Sequence, residues 1–380
     1  MIYDNITPNH NNILNIKNRV LISYVRGPRI EILGNQVGTY KVQFIDKRLN
    51  EIRFETTINN NCWAKCNIEY FVDWKVIVWE GDEIYHEEEF SAEGKRVYIA
   101  LDSKALGDTL AWVPYFEDFS KVHRCKVIAS TFHNEFFRNQ YPTIEFVNPG
   151  DVVNDLYAMY SIGLFYNEDG SVNYTKNPRD PKSVTMQQMG TDILGLVYRE
   201  IKPKMRIPQV EKDDKLITIA IHGTAQSKYW NNPTGWQEVV DWLNDKGYTV
   251  KLLSREGDGY MDNKHPEGIV KHPEGPINRV IEEMVKSKAF IGIGSGLSWL
   301  SWATGTKTVL ISGFSYDWAE MEDCVRIASP KDMCGGCFNR LKLDAGDWNW
   351  CPDHKGTNRQ FECTKSITGE MVIKELEKFL

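Results

Sequence analysis

Nothing in the 380-residue sequence approaches the run of about 18 consecutive apolar side chains that a membrane-spanning helix needs. The first 18 residues are polar and Asn-rich, without the apolar core of a secretory signal, so no targeting segment is expected there. Basic residues are in deficit. Forty-five Lys+Arg face 52 Asp+Glu, a net charge of −7, which argues against a protein whose main work is coating nucleic acid. Internal repeats and low-complexity tracts are absent as well. With 42% hydrophobic and 26% charged residues, disorder as the dominant state is excluded. What remains is a globular chain long enough for two or three cores of roughly 150 residues each, expected in the reducing cytoplasm. Eight cysteines and twelve tryptophans stand out against that background.

The chain changes character twice. Residues 20–90 read as short strands at about ten-residue spacing, with Tyr40, Val42 and Phe44 alternating onto one face, a pattern that predicts a small β-sandwich or barrel. From Arg96 the rhythm becomes strand, loop, helix: strands at 97–102, 125–131 and 144–150, with an amphipathic helical segment TLAWVPYFEDFSKVH between the first two. Residues 151–214, rich in Tyr, Asn, Asp and Pro, read as a bridge with one helix around Gln187–Val197. The rest alternates strand and helix regularly, with Val239, Val240 and Leu243 on one helical face and Val280, Ile281 and Met284 on another. Alternating β and α predicts doubly wound parallel sheets. The expected organisation is a β domain over 1–92, an α/β lobe over 93–205 that includes the bridge, and a second α/β lobe over 206–380, the lobes facing a cleft.

Three polar turns stand at strand ends, where open α/β sheets bind ligands. Leu106-Gly107-Asp108-Thr109 leads from strand to helix, so Asp108 reads either as a helix cap or as a general base. His222-Gly223-Thr224-Ala225-Gln226-Ser227-Lys228 follows the first strand of the second lobe. Its hydroxyls and its lysine suit a diphosphate, although a plain polar loop reads equally well, and the order is not that of a Walker loop. His222 itself reads as a packed, hydrogen-bonded residue rather than a catalyst. Gly292-Ile293-Gly294-Ser295-Gly296-Leu297-Ser298 combines a glycine turn with a helix start, a geometry that offers backbone N–H groups to phosphate.

The fourth constellation is the most specific. Cys334 and Cys337 form a CxxC pair, and Cys351 and Cys363 follow in a loop-rich stretch, so four thiols are available to a tetrahedral zinc or iron ion. A structural metal site is expected rather than disulfides. Residues 331–363 hold five Lys+Arg and five Asp+Glu, so no nucleic-acid-binding ribbon is implied. Cys62, Cys66, Cys125 and Cys324 are expected to stay free.

The stretches RGPRIEILG, YFVDWKV, ALGDTLAWVPYFEDF, DILGLVYREIKP, HGTAQSKYWNNPTGW, GIGSGLSWLSWATGTKTVLISGFS and CGGCFN…DWNWCPDHKGTNRQFECT together resemble the bacterial autotransporter heptosyltransferases, over residues 26 to 364 or so. The resemblance implies a GT-B fold of two Rossmann-like lobes, a small N-terminal β domain and a four-cysteine segment stapled by metal. It further implies an inverting transfer of heptose from ADP-heptose to a Ser or Thr hydroxyl of a protein. In that reading Asp108 is the base. Thr224, Ser227 and Lys228 hold the donor diphosphate, and Ser295, Gly296, Leu297 and Ser298 complete the nucleotide grip. Cys334, Cys337, Cys351 and Cys363 then hold structural iron, with zinc as the other candidate. Family members assemble into rings, so a homo-oligomer is expected. The readings that compete are the same fold and donor with a glycan acceptor, and a non-catalytic scaffold.

Overall fold

Alternation in the N-terminal region does what a period of two requires: Tyr40, Val42 and Phe44 are fully buried while their neighbours are more exposed. Residues 17–380 are described by this computed structural model; residues 1–16, where most of the expectation of no targeting segment falls, lie outside the described residues. The first strands are β1 (Arg19–Val25), β2 (Arg29–Leu33), β3 (Thr39–Asp46), β4 (Glu51–Asn59), β5 (Cys62–Lys65), β6 (Trp74–Glu80) and β7 (Glu83–Glu89). Four of them form an antiparallel sheet in the order β4-β3-β6-β7, which turns Val42, Phe44, Trp74, Val76 and Val78 into the core. The expected sandwich is altered in one respect. The strands that cover this sheet, β1, β2 and β5, extend the first lobe's sheet, because Tyr24 of β1 pairs in parallel with Ala158 of a later strand. Neither a closed barrel nor a free-standing sheet pair ends at residue 92.

The first lobe adds β8 (Arg96–Leu101), α1 (Leu106–Trp112), α2 (Pro114–His123), β9 (Lys126–Ser130), β10 (Ile144–Val147), β11 (Ala158–Ile162) and α3 (Met186–Ile193). Its sheet runs β10-β9-β8-β11-β1-β2-β5, parallel through β1 and antiparallel beyond. The amphipathic segment after β8 is divided at Pro114, whose missing N–H suits the first position of a new helix. Strand β11 lies inside the stretch that reads as a bridge, yet it occupies the middle of the sheet. Helix α3 starts where Thr185 caps the Gln188 N–H, and Gly195, at φ +65°, follows its end, short of the predicted Val197.

The second lobe comprises β12 (Asp213–Ala220), α4 (Gly235–Asp245), β13 (Thr249–Leu252), β14 (Val270–Lys271), α5 (Ile277–Lys286), β15 (Ser287–Ile293), α6 (Gly296–Thr304), β16 (Lys307–Ile311), β17 (Val325–Ile327), α7 (Cys337–Arg340), α8 (Glu362–Lys365) and α9 (Gly369–Leu376). All its strands are parallel, in the order β14-β13-β12-β15-β16-β17. This is the dinucleotide-binding strand order, and its direction reverses between β12 and β15. The lysine loop and the glycine turn leave the carboxyl ends of those two strands. One apolar cluster joins the lobes, uniting Leu110 and Trp112 of α1 with Trp299, Leu300 and Trp302 of α6.

Candidate active site

The two lobes touch through the N-termini of α1 and α6, and glycine makes the approach feasible. A β-carbon on Gly107 would lie 2.9 Å from the Trp299 ring, and one on Gly296 would lie 3.2 Å from Leu106 and 3.4 Å from the Gly107 nitrogen. Asp108 sits in the first turn of α1. The residue at the cap position is Ala105, and no side chain caps the helix, so Asp108 is not a cap. Burial pushes its carboxyl above the ordinary carboxylate range, opposed by a hydrogen bond with Ser103 and by the charge of Lys228. Lys228 arrives from the opposite lobe, on a 3-10 turn over Gln226–Lys228. Burial lowers its pKa, and the charges of Asp108 and Glu320 oppose that shift. Among the described residues the ammonium has no carboxylate within ion-pairing distance. A desolvated cation without a counter-ion is a site prepared for an anion.

Around it the predicted phosphate contacts divide. Ser295 precedes α6, and its buried hydroxyl has no partner among the described residues. The first-turn N–H groups of Gly296 and Leu297 point out of the helix start. Thr224 is exposed at the loop. Ser298 is a correction: its buried hydroxyl donates to the Ile293 carbonyl at 2.6 Å and ties α6 to β15, so it is not free for a ligand. Ser227 is buried, and its hydroxyl, like that of Ser295, has no partner among the described residues; the residue also lines the cavity formed by the four cysteines. His222 is packed as predicted, but neither ring nitrogen has a hydrogen-bond partner among the described residues; Glu256 lies 3.7 Å from Nδ1.

The cysteine segment forms one buried cavity lined by Cys334, Cys337, Cys351 and Cys363. The Phe361 N–H points at Cys351 Sγ (3.5 Å), and Arg340, paired with Asp353, points at Cys337 Sγ (3.4 Å). Burial first, then the charges of the other three thiols, holds the Cys363 thiol far above its ordinary range. Four thiolates so placed repel one another until a soft cation neutralises them, so the set fits zinc or iron. Among the described residues the ligand atoms that lie within 4.8 Å of one another are those of Cys334, His354 and Glu362, whereas the four thiols share the cavity at wider spacing. There, however, Glu362 is already engaged by Arg359 and by the Cys334 N–H. The segment also braces the donor side of the cleft. The Gln226 N–H donates to the Trp348 carbonyl, Asn231 donates to Thr364, and the Trp230 indole donates to the Ile367 carbonyl.

Two charged residues escape sequence reasoning. Glu320 and Arg326 form a buried pair at 2.6 Å beside the glycine turn, bracketed by Ser312 and Ser315. No spacing or motif marks them, because a loop and β17 bring them to the end of β15 only in the folded chain.

Two α/β lobes meeting at helix starts make the architecture of an α/β glycosyltransferase fold. No protein-family model matches the chain. It is 34% identical over 347 residues to the autotransporter heptosyltransferase BAHTCr of Citrobacter rodentium, spanning 88% of this chain and 83% of the relative. It is also 28% identical over 318 residues to BimC of Burkholderia thailandensis, named an inactive autotransporter heptosyltransferase, spanning 81% and 74%. The crystal structure of TibC from enterotoxigenic Escherichia coli H10407, an iron-containing dodecameric glycosyltransferase, matches with a TM-score of 0.86 at 31% identity over 95% of both chains. TibC has also been solved with ADP-D-β-D-heptose. The chain belongs to the bacterial autotransporter heptosyltransferase family.

Proposed function

We propose that the chain transfers heptose from ADP-heptose to Ser or Thr hydroxyls of an autotransporter protein, with inversion at the anomeric carbon. The observation that carries this reading is the similarity to TibC, solved with ADP-D-β-D-heptose, together with the close meeting of the lobes at Gly107 and Gly296, beside Asp108. Asp108 takes the proton of the acceptor hydroxyl as its oxygen bonds to the anomeric carbon. The bond from that carbon to the phosphate oxygen breaks, its electron pair leaves with ADP, and Lys228 neutralises the new charge. Ser295, Thr224 and the N–H groups of Gly296 and Leu297 hold the diphosphate. Ser227, whose buried hydroxyl is likewise unpartnered among the described residues, joins them. TibC holds heptose as its ADP conjugate, contains iron and is dodecameric; by similarity, Cys334, Cys337, Cys351 and Cys363 hold a structural iron here and the chain forms a homo-oligomer. The metal's contribution is to pin the segment that braces the lysine loop.

A cytoplasmic setting is part of this reading, and no helix among the described residues is long and apolar enough to cross a membrane. The test is transfer of labelled heptose from ADP-heptose to an autotransporter passenger by the wild type and by D108N. Wild-type label on protein, with at least a thousandfold lower turnover and nearly unchanged donor affinity in D108N, is the expected result. Label on glycan alone would redirect the acceptor. Absence of donor binding would leave a scaffold, in keeping with the inactive name of BimC.

A further inference from the structure

The loop that leads from β8 into α1 and Asp108 has two flanks, because β8 lies between β11 and β9 in the first lobe's sheet. The β11 flank is closed. Just past that strand, a β-carbon on Gly163 would lie 2.8 Å from Asp102 Cβ, so the chain is pressed against the β8 loop. Farther out, the cysteine segment reaches across from the second lobe. Asn339 of α7 donates to the Lys182 carbonyl at 3.1 Å while accepting from the Tyr316 N–H at 2.9 Å. Lys342 Nζ stands 5.3 Å from the centre of the Tyr166 ring, four residues beyond the end of β11.

The β9 flank is built differently. Ser130 at the end of β9 pairs with Ala100 of β8, so the turn that follows stands next to Ser103, Lys104 and Ala105. That turn is locked. The Thr131 N–H and hydroxyl both donate to Asn134 Oδ1, at 3.1 and 2.8 Å, and the His133 N–H donates to Thr131 Oγ1. Asn134 Nδ2 in turn donates to the Val147 carbonyl at 2.7 Å, and both Thr131 and Asn134 are buried. His133 Nε2 lies 3.1 Å from the Lys104 carbonyl, which ties the turn to the loop that carries Asp108. Out of this frame stands Phe132, 44% exposed, with Lys104 Nζ 5.2 Å from its ring centre. An exposed ring on a loose loop is unexceptional. A ring held in water by a fully hydrogen-bonded turn is preorganised, which lowers the cost of ordering it against a partner.

We propose that Phe132, with Lys104 beside it, is the platform on which the acceptor polypeptide lies as its hydroxyl reaches Asp108. The ring packs against a side chain neighbouring the reacting Ser or Thr, and the ammonium meets a main-chain carbonyl. The polypeptide enters over β9 because the cysteine segment closes the β11 side. The inference rests on the protein-acceptor reading above and names the surface that selects the acceptor.

The test measures transfer from ADP-heptose to an autotransporter passenger, with donor affinity by calorimetric titration, for the full chain as wild type, F132A, F132Y and V122A. Val122, 63% exposed in the last turn of α2, is a control at the opposite end of the strands. The expected result is a KM for the passenger raised about tenfold in F132A, with ADP-heptose affinity within about twofold of wild type. Tyrosine keeps the ring, so F132Y should retain a KM near that of wild type, as should V122A. An unchanged passenger KM in F132A overturns the proposal, as does an equal loss of ADP-heptose affinity. If F132A melts far below wild type, K104A, which leaves the turn's hydrogen bonds in place, decides by the same criterion. A wild-type chain that labels glycan and no passenger overturns the protein-acceptor reading and the platform with it; a labelled passenger with unchanged KM overturns the platform alone.

Discussion

Asp108 and Lys228 are perturbed in opposite senses by one cause, removal from water, and each partly restores the other's charge. The sign of the pH dependence follows. A carboxyl held above its ordinary range stays protonated to higher pH, so the acid limb of kcat/KM lies above that of an ordinary aspartate. A lysine held below its ordinary range loses its charge sooner, so the alkaline limb moves down. A pH–rate profile measured with saturating acceptor is expected to be a narrowed bell; an acid limb at the value of an exposed aspartate would contradict the base assignment. Replacing Lys228 with alanine removes the charge proposed to meet the leaving group. Donor affinity should fall at least tenfold by titration, in line with about 1.5–3 kcal/mol for a hydrogen bond to a charged group. At this scale the sequence marked side chains of suitable chemistry but could not say which of their atoms are free. Ser298 has the right chemistry at the right strand end, yet its hydroxyl is held by the Ile293 carbonyl.

At the scale of elements, the cysteine segment shows how a local pattern acts at a distance. It has only the short helices α7 and α8 of its own, and a β-carbon on Gly313 at the end of β16 would lie 2.6 Å from the Cys363 carbonyl. The segment is therefore pressed directly against the sheet edge that carries the lysine loop. Cys363→Ser is expected to reduce the metal content of the purified protein and to lower unfolding free energy by at least about 2–3 kcal/mol in chemical denaturation. Donor affinity should fall with it, because Gln226, Trp230 and Asn231 are all anchored on this segment. A fully folded, metal-free C363S of wild-type stability would refute a structural staple. The spacing of the four cysteines was readable in advance. The network of Ser315, Glu320 and Arg326 was not, since ordinary residues on a loop and a three-residue strand carry no periodic signal.

For the whole molecule, the N-terminal region is continuous with the first lobe. Strands β1, β2 and β5 complete that lobe's sheet, and the four-stranded sheet packs into the same core. A chain beginning at residue 93 would leave β11 as an unpaired edge and expose the face that Ile30, Ile32 and Val42 cover. Such a truncation is expected to be insoluble or aggregated on size-exclusion chromatography, whereas a separable domain would leave a soluble two-lobed remainder. The alternating α/β rhythm was legible because it depends on residues within one or two turns of one another. By itself the sequence determined the strand and helix periodicities, the glycine turns at strand ends and the four clustered thiols, all of which are short-range patterns. Only the tertiary structure decided that β11 is a central strand, that β1 joins it, and that the starts of α1 and α6 meet. Those pairings bring together segments far apart in the chain, and their stability comes from surfaces buried jointly rather than from the preference of any local segment.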